Sequence, residues 1–137
     1  MTGLLVFFSA FIAAQTPPTP HRLTGADNYP PDARQRGEQG RVDMVLKVDP
    51  SGKVTKCETT ASSGSKVLDR ASCRFVTAKV RYTPATDAAG VRINGSAAFA
   101  IRWAIGCNSN RPVDESEIIY VCTDRATGKS QPRGRIE

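Results

Sequence analysis

From Gly40 onward, Val42, Met44, Leu46 and Val48 alternate with Asp43, Val45, Lys47 and Asp49, the two-residue period of a strand with one buried face. Asp49-Pro50-Ser51-Gly52 follows at once, with proline second and glycine fourth as a type I turn requires, and Val54 to Thr60 returns as the second strand of a hairpin. Ala61-Ser62-Ser63-Gly64-Ser65 breaks that strand. Ser65 then caps a helix in which Leu68, Ala71, Ser72, Phe75 and Val76 recur at helical spacing. Pro84 stops the segment that follows, and the turn at Asp87-Ala88-Ala89-Gly90 leads into a third strand. Its odd positions Ala97, Phe99, Ile101, Trp103 and Ile105 are all apolar, which gives it one buried face. Before the hairpin, Pro30-Pro31 to Gly37 suits one or two helical turns opened by proline and closed by glycine, with Tyr29 and Ala33 pinning them to a larger body.

The chain has 137 residues, room for one domain. Its net charge of +6 is spread along the sequence, and its aromatic residues are not interleaved with basic clusters, which argues against nucleic acid as a partner. Residues 1–14 contain the uncharged apolar run Gly3 to Ala14, shorter than the ~20 residues of a spanning helix, and read as a signal peptide or, if uncleaved, an inner-membrane anchor. Membrane association is expected only if this leader is retained, and an exported chain would be periplasmic. Residues 15–26 form a proline-rich linker, 27–106 the folded domain, and 107–137 an extension in which Ile118 to Val121 form a short fourth strand. Thr123 to Glu137 are expected to be a disordered basic tail.

Cys57, Cys73, Cys107 and Cys122 are spaced by 16, 34 and 15 residues, without Cys-x-x-Cys and with His21 as the single histidine, so zinc and thioredoxin-type chemistry are disfavoured and disulfides expected. Three pairings are open to four cysteines. We expect Cys57 with Cys73, because the former shares the parity of Thr55 and Thr59 and the latter flanks the helix that covers the sheet, and Cys107 with Cys122, which would tether the extension. No catalytic constellation, metal site or cofactor motif is visible: His21 lies in the linker, and Ser62, Ser63 and Ser65 read as turn and cap residues. Trp103 and Phe99 share the strand's apolar parity and read as core.

Read in order, Tyr29-Pro30-Pro31-Asp32-Ala33, Gly40-Arg41-Val42, Asp49-Pro50-Ser51-Gly52-Lys53-Val54, Ser62-Ser63-Gly64-Ser65, Leu68-Asp69-Arg70-Ala71 and Val80-Arg81-Tyr82-Thr83-Pro84-Ala85 resemble the TonB C-terminal domain family over about residues 27–105. The resemblance implies an α+β fold with a three-stranded antiparallel sheet, in the order second, first, third, packed on one helix. The third strand would then be an edge able to pair with an extended peptide, which in TonB proteins is a short segment of an outer-membrane transporter. The matching positions are Asp27, Asn28, Tyr29 and Pro30 before the first helix, and Ser96, Ala98, Ala100, Arg102 and Ala104 along the strand.

The sequence departs from the family in its short apolar run, which lacks the Ser and His pair with which the family's anchor meets its proton-driven membrane partners, in the brevity of Thr16-Pro17-Pro18-Thr19-Pro20, and in Asp27-Asn28 where better-known members carry Gln-Pro. The expected function is therefore binding of an outer-membrane transporter or another envelope protein by strand addition, related to energy transduction and siderophore-type import. The alternatives are a stand-alone disulfide-stabilised periplasmic interaction module and a small secreted enzyme.

Overall fold

A computed structural model describes residues 16–23, 29–106, 119–123 and 130–134. In chain order the elements are β1 (Thr19–Leu23), α1 (Pro31–Gln35), β2 (Gly40–Val48), β3 (Val54–Ala61), α2 (Lys66–Lys79), β4 (Val80–Thr83), β5 (Ala85–Thr86), β6 (Arg92–Ile93), β7 (Gly95–Ile105), β8 (Ile119–Thr123) and β9 (Ser130–Gly134). The fold is α+β, with a mostly antiparallel five-stranded sheet in the order β3-β2-β7-β8-β9.

The hairpin forms where turn chemistry and alternation agree. The Asp49 carbonyl accepts the Gly52 N–H at 2.9 Å, while the Asp49 carboxylate accepts the N–H groups of Ser51 and Lys53 at 2.8 and 3.0 Å. Glycine is required at position 52, because its φ is +87° and an added Cβ would lie 2.1 Å from the Tyr82 carbonyl oxygen. Val42, Met44, Leu46 and Val48 are all buried, and they share a face with Phe99, Ile101 and Trp103 of β7.

α2 covers that face. Ser65 Oγ caps it by accepting the Leu68 N–H at 3.2 Å, and Leu68, Ala71, Ser72, Phe75 and Val76 turn inward. Ser72 is the polar member of this stripe, and it is used. Its hydroxyl donates to the Leu68 carbonyl and accepts the buried Trp103 Nε1–H, both at 2.8 Å. Tyr29, leading into α1, meets the same indole edge to face at a centroid distance of 5.3 Å. Cys57 on β3 and Cys73 on α2 form the expected strand-to-helix disulfide, which closes a loop worth about 3 kcal/mol in the chain-entropy account.

Four expectations need correction. The stretch read as a linker contains β1, antiparallel to β4, with Thr16 bridging Thr86, and a bulge between Pro20 and Arg22 lets the proline-bearing segment lie along the outer side of a two-stranded pair. The sheet has five strands, not three. The tail read as disordered contains β9, antiparallel to β8, with Pro132 in a sheet-edge strand where proline is tolerated. Finally, β7 is not an edge along its whole length, since β8 pairs with it in parallel from Ile101 to Ile105. Cys122 is disulfide-bonded, and its expected partner Cys107 lies outside the described residues, as does the leader.

The Trp103–Ser72 bond yields a direct test. Ser72→Ala leaves a buried N–H without its acceptor and should cost about 1–3 kcal/mol in urea unfolding, although alanine is the better helix former. In a Trp103→Phe background the same change should cost far less, and equal costs in both backgrounds would show that the bond contributes nothing.

Candidate functional site

The candidate site begins with the backbone of β7. In an antiparallel strand the N–H and C=O of one residue point to the same neighbour, and the next residue points to the other. Ile105 N–H donates to Gln39 Oε1 on the β2 side at 3.0 Å, whereas Gly106 N–H donates to the Thr123 carbonyl on the β8 side at 2.8 Å. The β2–β7 register runs without a shift from Gly40 opposite Trp103 to Val48 opposite Gly95. Even-numbered residues of β7 therefore direct their backbone groups away from β2. At Arg102 and Ala104 these groups face β8. At Ser96 and Ala98 no described strand lies on that side, and at Ala100 the parallel pairing of Ile101 with Ile119 turns the carbonyl to β8 and leaves only the N–H beyond its cover.

The expected positions thus divide. Ser96, Ala98 and Ala100 lie on the open half of the strand, Arg102 and Ala104 on the half that β8 covers, and the full-length edge expected from the resemblance is corrected to Gly95 through Ala100. Beside the open half, Lys47 Nζ donates to Ser96 Oγ at 2.8 Å across the register pair, and Arg41 is bound to Asp43 at 2.9 Å. A shallow depression of about 330 Å³ over Ala98 and Ala100 is bounded by Arg41, Asp43, Val45 and Thr60 on the sheet face away from α2.

Tyr29 and Pro30 form a second group, while Asp27 and Asn28 lie outside the described residues. Tyr29 is buried and donates its hydroxyl to the Glu38 carbonyl. It is an anchor for α1, so of the two described pre-helix positions only Pro30 presents surface. Around it, Glu38 takes a bond from Arg36 at 2.7 Å and another from the Ser65 hydroxyl at 2.7 Å, and these hold its carboxyl below the usual carboxylate range. Asp69 is pushed upward by partial burial, but hydrogen bonds from Ser62 and Ser63 outweigh this and leave it lowered. These carboxylates tie the Ser62–Ser65 loop to the segment that leaves the end of α1 and to α2, a structural role that agrees with the turn-and-cap reading of the serines.

Sequence reasoning missed the partial cover supplied by β8. The short apolar run Ile118 to Val121 marked a strand, but a parallel partner is reached across a gap in sequence and leaves no local trace. It also missed Lys47 beside Ser96, which the hairpin register would have exposed had the β2–β7 alignment been fixed.

Burial, and secondarily the Glu38 carboxylate, raise the Tyr29 phenol from its ordinary value of about 10 to about 12. Because the folded-state value is raised, this contribution to stability is complete below about pH 10 and is lost as pH rises towards 12. Tyr29→Phe should flatten the alkaline limb of a stability–pH curve between those values, and an unchanged limb would place the phenol elsewhere.

The comparisons with known proteins agree with this geometry. The family described as Gram-negative bacterial TonB protein C-terminal matches residues 26–105, more than half of the chain and the segment from the approach to α1 to the end of β7. Protein TonB of Pseudomonas putida is 40% identical over 62 residues, a match that spans 45% of this chain and 25% of that relative's length. On the family match, with the hairpin, helix and long third strand of that segment in place, the chain belongs to the TonB C-terminal family.

Proposed function

We propose that this protein is a TonB-like periplasmic binding protein that takes an extended segment of an outer-membrane transporter, or of another envelope protein, as an added strand along Gly95 to Ala100. The observation that carries the reading is the outward direction of the Ser96 and Ala98 backbone groups, and of the Ala100 N–H, on a stretch with no outer strand among the described residues. Such groups pair with any extended backbone, and side-chain pockets then select the sequence. The small, exposed side chain of Ala98 leaves room for those of an incoming strand. At about 3.3 Å per residue the open stretch accepts only a short segment, roughly 20 Å long. The role we propose is binding, and membership of the family supports a part in energy-driven import.

A second reading is favoured by β8. An extension that permanently covers half of the edge suits a stand-alone interaction module with a short partner motif and no role in energy transduction.

The test uses the direction of the Ala98 N–H. Proline there removes a donor that points away from β2, so the sheet keeps its bonds and the unfolding midpoint should change little. With a photoreactive residue at Ser96, whole-cell crosslinking should yield a discrete partner adduct that Ala98→Pro reduces at least tenfold and Ala98→Val preserves. An adduct of unchanged yield in a folded Ala98→Pro protein would exclude strand addition at this edge.

A further inference from the structure

The outward face of α2 carries a second feature that neither the core nor the strand edge uses. Lys66, Arg70 and Arg74 are exposed and stand four residues apart, in one row along the helix. Among the described residues none of the three has a carboxylate within ion-pair distance: Glu38 is held by Arg36, Asp43 by Arg41, and the helix's own acid, Asp69, by Ser62 and Ser63. Like charges at this spacing cost a helix a few tenths of a kcal/mol each, so the row works slightly against the fold. Grooves flank it on both sides. One, about 440 Å³, is lined by Val67, Arg70, Cys73 and Arg74. The other, about 380 Å³, lies between α1 and α2, with Pro30 and Pro31 as one wall, Ala71 and Ala78 as the other and Trp103 at its floor. Arg74 borders both.

We propose that this face is a docking surface for an acidic polypeptide segment in extended form, distinct from the β7 edge. The spacing supports that occupant. Four residues of helix advance about 6 Å, while alternate residues of an extended chain advance about 6.6 Å, so carboxylates on every second residue meet successive cations of the row. The apolar groove walls then accept the side chains between them. A lipid surface fits less well, because a membrane-binding helix inserts large exposed apolar residues and the described outward face of α2 presents none. The one large exposed hydrophobic residue among those described, Val91, lies between β5 and β6.

The probe is a fluorescent twelve-residue peptide of alternating Glu and Thr, titrated against the full chain in fluorescence anisotropy at low and moderate salt. Arg70→Glu with Arg74→Glu should weaken binding at least tenfold and leave thermal stability equal or slightly higher. Lys53→Glu with Lys56→Glu, an equal charge change on the β2–β3 hairpin, should alter binding less than threefold. The alternating peptide should also bind more tightly than an isomer with its Glu residues in one block. Equal losses from the two double variants would reduce the effect to net charge and overturn the proposal, as would equal affinity for the two peptides. Sedimentation with vesicles of 70% phosphatidylcholine and 30% phosphatidylglycerol, abolished by the α2 pair while the peptide fails to bind, would assign the face to lipid instead.

Discussion

The buried indole of Trp103 holds three parts of the molecule to one another. Its N–H reaches Ser72 on α2, its ring meets Tyr29 at the entry to α1, and its backbone belongs to β7, paired with Gly40 at the start of β2. An indole N–H left without an acceptor in this core would cost more than the bond itself contributes, so the pairing fixes α2 over the sheet and sets its height along β7. The strand proposed as the binding edge is thereby held in the core by its own side chain, and the register of β8 then determines which of its residues are covered.

A sheet edge is a liability as well as a site. This chain manages it by division. β8 and β9 extend the sheet beyond Ile101 to Ile105, and Val121, Cys122 and Thr123 of β8 are fully buried, so the cover belongs to the core and is not a loosely held flap. β3, at the other edge, is exposed along nearly all its length and bears Lys56 and Glu58, charges that discourage pairing with another copy. The short stretch from Gly95 to Ala100 remains. Its length limits both unwanted pairing and the size of the partner segment.

The elements legible in the sequence were those in which local chemistry and burial agree. Asp49 to Gly52 could only turn the chain, the Val42 to Val48 alternation could only bury one face, and Ser65 stood where a cap was needed. The Cys57–Cys73 bridge followed from strand parity and helix phase. β1 and β9 escaped notice because proline-bearing strands away from the centre of a sheet need show no apolar alternation. The partial cover of β7 escaped because a parallel pairing is set by topology, not by neighbouring residues. The candidate positions on β7 came from resemblance to a family; the structure adds which of them have backbone groups that face an uncovered side. The cationic row on α2 was present in the sequence as Lys66, Arg70 and Arg74, yet only the packing shows it to be an outward face bordered by two grooves.

The half-open edge is the central claim, and amide hydrogen exchange of the free protein tests it without knowledge of any partner. If even-numbered residues of β7 point away from β2 and β8 covers only those from Arg102 onward, the amides of Ser96 and Ala98 exchange rapidly while those of Ala97, Phe99, Ile101 and Trp103 are strongly protected. Arg102 and Ala104 should be protected with the latter group. Uniform protection from Ser96 to Ala104 would mean that the edge is covered throughout, and would contradict the account.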